Sequence, residues 1–300
     1  MTESVIGPAV QRLTSEALEV VIIPAAGARI HRIRAFGYDM LRTPPDAAVH
    51  LREPFWWGAF QMAPWCNRIA TGPVRAGRRL VHLDSNFADG SAIHGQVYVV
   101  PWDVLDEGTF AIEAGGDGWP WRYRVTADFA LDAAALRIRQ QVVNLSDDAM
   151  PAGIGLHPWF PRSTLVSIEA ERWYPRNIDS PPDPERVAGS SDLRTMREFP
   201  AGVDGTWTAP RPAIVALHWP GTGVRATVTC DSPTLHITAA MPTDIGATAV
   251  EPQTHAPQGL RCLLHGEPGA LAWLEPGAGL AHTIEMSFRF DLESDGGLLT

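Results

Sequence analysis

The chain is predicted to fold as an all-β protein, a large antiparallel twisted β-sandwich. Three observations lead there. Apolar and polar residues alternate with a period of two over several segments. Gly, Pro, Asp and Asn clusters separate those segments at short intervals. Finally, 26 of 300 residues are proline, against an average usage of about 5%, which helices and βαβ units tolerate poorly. In chain order, strands are expected at LEVVII near residue 18, TFAIEAG near 109, RYRVTADFAL near 122 and LRIRQQVVNL, where Leu136, Ile138 and Val142 alternate with Arg137, Arg139 and Gln141. Further strands follow at AIVALHW near 213, VRATVTC near 224, TLHITA near 234 and TIEMSFRF, in which Ile284, Met286, Phe288 and Phe290 share one face. The hydrophobic content of 45% can fill a sizeable core. No linker, repeat or low-complexity tract divides residues 1–300, so one domain is expected, with the stretch from Pro181 to Pro184 read as a loop.

Composition removes whole classes of function. The net charge of −10 opposes the phosphate neutralisation on which nucleic-acid binding depends, so nucleic acid is not an expected partner. No signal-like N-terminus or membrane-length apolar run is present, and a cytoplasmic protein without membrane association is expected. All 24 basic side chains are arginine, which excludes lysine Schiff bases, pyridoxal phosphate anchoring and a Walker-type loop. Cys66, Cys230 and Cys262 are too few and too scattered for a disulfide framework or zinc knuckle. His31, His50, His82, His218, His236, His255, His265 and His282 lack metal-ligand spacing, so neither a metal nor another cofactor is expected.

Four ionisable side chains stand in short Gly- and Pro-flanked contexts between the strand candidates: Arg68 in PWCNRIATG, His94 in AIHGQVY, His157 in GIGLHPWF and Glu251 in VEPQTHAP. The prolines after His157 and Glu251 bias both backbones toward extended geometry. Glu251 either serves as a base or pairs with an arginine at a strand end, and His157 is either a general acid or a loop-capping imidazole. His94, before Gly95, can donate to a sugar oxygen. Arg68 offers a charged fork to hydroxyls or braces a loop. Of the eleven tryptophans, Trp65 and Trp159 are assigned to a sugar-binding wall, and Trp56, Trp57, Trp102 and Trp121 to core or subunit contacts.

Taken in register, PWCNRIATGPVRAGRRL, AIHGQVYVVPWDV, GIGLHPWF, FPAGVDGTW, VEPQTHAP and LEPGAGLAHTIEMSFRF resemble the aldose 1-epimerase (galactose mutarotase) family from about residue 15 to the C-terminus. The resemblance implies that family's β-supersandwich. It also implies roles: Glu251 as the general base on the anomeric hydroxyl, His157 as the acid protonating the ring oxygen, His94, Arg68 and the adjoining Asn67 as sugar contacts, and Asp204 as an acceptor for hydroxyls. Two departures fall in these motifs: Gln96 stands where the second glycine of HGG is usual, and His157 is followed by Pro158 and Trp159. The expected partner is a small-molecule monosaccharide, with the chain a monomer or homodimer. A hexose-6-phosphate 1-epimerase would need extra cations, for which Arg162, Arg176 and Arg261 are the candidates. A non-catalytic sugar-binding or sensor protein would need neither acid nor base.

Overall fold

A computed structural model describes residues 9–116, 118–176 and 183–291 of the chain. The fold is a stack of two large antiparallel sheets. In the first, the strands run in the order Gln11–Thr14, Leu18–Ile23, Arg29–Ala35, Ala59–Met62, Gly155–Pro161, Ala247–Gln253, His236–Ala240, Asp204–Thr208, Arg172–Pro175 and Glu185–Arg186. The second runs Asp103–Asp106, Thr109–Gly116, Trp119–Asp132, Ala135–Asn144, Gly279–Phe290, Val224–Asp231, Ala213–Trp219, Leu165–Ile168 and Arg197–Glu198. All eight strand segments expected from the sequence are strands. The loop expected from Pro181 to Pro184 falls partly on residues 177–182, outside the described residues. Among the described residues the only α-helices are Val49–Arg52 and Gly259–His265, and no helix is long and apolar enough to cross a membrane.

The two sheets bury their strands differently. Strand Trp119–Asp132 alternates buried and more exposed positions almost throughout, as expected for a sheet with one face on the core and one in water. By contrast, Ala59–Met62, Gly155–Pro161 and Ala247–Gln253 are buried at nearly every residue. One face of these central strands packs on the main core. The other is covered by loops and by a smaller apolar cluster around Phe60, Met62, Cys66, Tyr98 and Trp159. Between the sheets, the Gln140 amide donates to Gln61 Oε1 and, at 2.9 Å, to the carbonyl of Gly155, fixing the strand that carries His157.

Three core histidines give the fold an acid sensitivity. His236, His255 and His282 are buried, and burial lowers them to about 3, 4 and 4, from 6.5. Each folded value lies below the unfolded one, so the stabilisation is complete above pH 6.5 and is lost as pH falls toward 4. The amount is at most on the order of 3–5 kcal/mol per histidine. Thermal unfolding at pH 7.5, 5.5 and 4.5 should show a Tm that falls progressively. A Tm constant over that range would contradict the neutral burial of these imidazoles.

Candidate active site

Strand register assembles the site. Gly155 pairs with Gln253 and Trp159 with Ala249, which sets His157 opposite Glu251. His157 also pairs with Phe60 on its other side, Glu251 with Thr238, and Thr238 with Thr206. Because residues two apart share a face, Trp159, Ala249, Ala240 and Asp204 form a second row on the same face. The alanines in that row leave room above the sheet. A cavity of about 180 Å³ occupies it, lined by Phe55, Trp56, Asn67, Arg68, Phe87, Ile93, His94, His157, Trp159, Arg176, Asp204, Thr238, Ala240, Pro242 and Glu251.

His157 Nε2 and Glu251 Oε1 are 3.1 Å apart, both side chains almost fully buried. Phe60 stacks on the His157 ring at 4.4 Å, and His94 meets it edge-on at 4.8 Å. Burial, reinforced by the Asp204 carboxylate and opposed by Arg68, raises Glu251 well above the ordinary carboxyl value. Burial lowers His157 to about 3. Desolvation therefore penalises both charged forms, and the free pair differs from an ionised glutamate beside a protonated histidine: it shares one proton and is neutral overall.

Two turns deliver the donors. Asn67 and His94 both adopt left-handed backbone, φ 53° and 62°, and face each other. The His94 N–H donates to the Asn67 carbonyl at 3.1 Å, and the Asn67 N–H donates to His94 Nδ1 at 3.2 Å. Nδ1 is thus an acceptor, so the proton of the neutral imidazole sits on Nε2. Burial, with help from His157 and Arg68, pushes His94 well below 6.5 and keeps it neutral. Arg68 Nε donates to Asp89 Oδ2 at 2.7 Å. Asp89 also accepts from the Ser91 amide and hydroxyl. Burial works against its charge, but the Ser91 and Arg68 bonds prevail and hold its carboxyl at about 2. Arg176 bridges Asp89, at 3.3 Å, and Asp204, at 3.2 Å. Burial pushes Asp204 upward.

Seven of the eight residues expected at the site line this cavity: Glu251, His157, His94, Arg68, Asn67, Asp204 and Trp159. Trp65 does not. It lies in the main core, 5.0 Å from the Trp119 ring. Trp56, expected in the core or at a subunit contact, is a cavity wall, 5.8 Å from Trp159, whose Nε1 donates to the Phe55 carbonyl. Of Arg162, Arg176 and Arg261, only Arg176 lines the cavity. The Gln96 departure is structural: its amide reaches the Gly116 carbonyl and accepts from the Tyr123 hydroxyl of the other sheet. Asp89, Phe55, Phe87, Thr238 and Ala240 carried no motif by which the sequence could place them.

The ligand atoms of His94, His157 and Glu251 lie within 4.8 Å of one another, a grouping that sequence spacing could not show because it joins three distant segments. The donor set fits a metal poorly. A ligating imidazole donates through its other nitrogen, whereas His94 Nδ1 accepts from Asn67 and leaves Nε2 protonated. The three cysteines are buried thiols, and burial together with Glu251 raises Cys66 far above the reactive range. A reaction catalysed at this cavity should therefore survive both EDTA and thiol blockade; loss after EDTA, restored by one defined metal, would contradict this.

Comparisons with known proteins agree with the fold and the motifs. Escherichia coli YphB, an uncharacterized protein, is 28% identical over 116 residues, 37% of this chain and 40% of that protein, so the match spans less than half of the relative. A GalM/aldose epimerase homologue from C. elegans superposes with a TM-score of 0.78 at 15% identity, covering 94% of this chain and 99% of that one. A galactose 1-epimerase from Lactobacillus acidophilus gives 0.74 at 16% identity and 93% of both chains. A galactose mutarotase-like protein from Clostridium acetobutylicum gives 0.76 at 17%, covering 93% and 95%. At these identities the likeness establishes the fold. The model of the aldose 1-epimerase family matches residues 10–287, and the chain belongs to that family.

Proposed function

We propose that the cavity interconverts the α and β anomers of an unphosphorylated aldose by acid/base ring opening and reclosure. The observation that carries this reading is the buried contact between His157 and Glu251, 3.1 Å long. The anomeric hydroxyl and the ring oxygen are both bonded to C1, so an acid and a base serving them must be neighbours. The step starts from the minor distribution of the pair, with its proton on His157 and Glu251 ionised; Glu251 then takes the hydroxyl proton while His157 gives its own to the ring oxygen. The C1–O5 bond breaks, the aldehyde forms, and rotation about C1–C2 followed by the reverse transfers gives the other anomer. After opening, Glu251 carries the proton and His157 is neutral, the distribution that burial favours. His94 Nε2–H and Arg68 supply donors, and Trp159 and Trp56 offer faces to the sugar ring. The size of the cavity, below the roughly 300–1,000 Å³ of drug-sized sites, suits one sugar ring.

Both cavity arginines are already paired with carboxylates, which favours neutral hydroxyls over a phosphate dianion. Polarimetry of freshly dissolved glucose and galactose against their 6-phosphates tests this. The free sugar should have the larger kcat/KM, and a tenfold preference for the phosphate, about 1.4 kcal/mol, would replace the reading with a hexose-6-phosphate epimerase.

The paired proton also sets the pH dependence. Activity requires one proton on the pair. A second is gained only near the depressed value of His157, about 3, and the one present is lost only well above 4.5, where Glu251 is raised. The rate should thus not fall as pH drops from 6.5 to 5. An acid limb centred near 6.5 would mean that an ordinary histidine controls the reaction.

A further inference from the structure

Arg176 has a contact pattern unlike that of a structural arginine. Its backbone N–H donates to the Asp204 carbonyl at 3.0 Å, and its guanidinium spans from Asp204 Oδ2 on the sheet to Asp89 Oδ2 on the loop before strand Ala92–Ile93. Asp89 is also held by Ser91 and Arg68 and serves as the anchor. The side chain of Arg176 is nevertheless 41% exposed, against 13% for Asp89 and 24% for Asp204, and it lines the cavity. A guanidinium has five N–H donors, so two carboxylate contacts leave others to offer. Asp204 lies two strands from Glu251, through Thr238 and Thr206. At 4.7–4.9 Å per strand the two backbones are roughly 10 Å apart, so this end of the cavity faces the part of the sugar remote from C1.

Resting on the epimerase reading, we infer that Arg176 is a specificity-determining residue, its guanidinium and the Asp204 carboxylate together reading a vicinal pair of sugar hydroxyls remote from the anomeric carbon. Asp204 accepts from one hydroxyl and Arg176 donates to its neighbour. A donor and an acceptor held in fixed relation discriminate strongly, because an epimer that misplaces either hydroxyl leaves a partly buried polar group unmatched.

The test uses Arg176→Gln and Arg176→Lys, checked for unchanged Tm, with galactose and glucose and their 2-, 3- and 4-deoxy analogues. KM should rise about 10- to 100-fold in Arg176→Gln while kcat changes less than about threefold, since the chemistry lies at the other end. Arg176→Lys should recover little of the loss, as a point charge cannot replace the fork. For the analogue lacking the hydroxyl that Arg176 reads, wild type and variant should be nearly equal, identifying the carbon. KM within twofold of wild type for every sugar would make Arg176 a strap for the Asp89 loop and overturn the inference, as would a fall in kcat at constant KM. Sugar binding by titration calorimetry is measured in parallel. Absence of turnover with wild-type binding lost in Arg176→Gln would sink the epimerase reading alone, and turnover with unchanged binding would sink only the inference.

Discussion

Glu251→Gln is expected to lower the catalysed anomerisation rate by about 10² to 10⁴, and His157→Gln by a similar factor, without loss of fold. Glu251→Gln keeps the shape of the side chain inside a fully buried contact, and His157→Gln keeps a polar amide there while giving up the ring stacked on Phe60. Each nevertheless removes one end of the proton exchange, leaving an amide that cannot take or give a proton at useful pH. The two groups act on one transition state, so the double variant should be little worse than the poorer single one. Circular dichroism and Tm distinguish lost chemistry from lost structure. Near wild-type turnover in either folded variant would remove that residue from the reaction.

Gly95→Ala should cause the second large effect, and this one is structural. Gly95 has φ +75°, and a Cβ there would lie 1.9 Å from the Ala63 carbonyl oxygen and 2.4 Å from its carbon, both backbone atoms that cannot swing aside. Gln96 N–H donates to that same carbonyl at 2.8 Å. The turn must open, and with it go the reciprocal His94–Asn67 hydrogen bonds that set the His94 tautomer. A destabilisation of at least about 2–3 kcal/mol is expected in denaturant unfolding, together with loss of sugar affinity. Wild-type stability would show that the turn accommodates a side chain and that glycine is not required there.

How much was legible in the sequence depended on which sheet carried the residue. Six of the nine strands of the second sheet were read, because segments such as Ala135–Asn144 and Gly279–Phe290 have one face in water and so alternate in polarity. Of the central strands of the first sheet, His236–Ala240 was read, and Ala59–Met62, Gly155–Pro161 and Ala247–Gln253 were not. Gly155–Pro161 and Ala247–Gln253 are buried on both faces and contain Pro158 and Pro252, so neither period nor composition marks them as strands. His157 and Glu251 consequently looked like residues placed between strands, when they stand inside two adjacent ones. Their identity was visible in the motifs. Their direct contact was not, since it follows from a register between segments about ninety residues apart in sequence. Trp65 was misplaced for a similar reason: a residue within a motif can point to either side of the chain, and this one points into the core. Arg176 was named only as one of three candidate cations, and its pairing with Asp89 and Asp204 follows from contacts that no local pattern encodes.

The most direct measurement is two-dimensional exchange NMR on an aldose at anomeric equilibrium, with no net reaction to confuse the readout. Wild-type protein should produce α-to-β exchange cross-peaks for at least one free aldose in a panel of pentoses and hexoses. Their build-up rate should be proportional to protein concentration, and Glu251→Gln at the same concentration should leave only the spontaneous rate. No acceleration by folded wild-type protein for any sugar in the panel, or acceleration that persists undiminished in Glu251→Gln, would contradict anomer exchange at the His157–Glu251 pair.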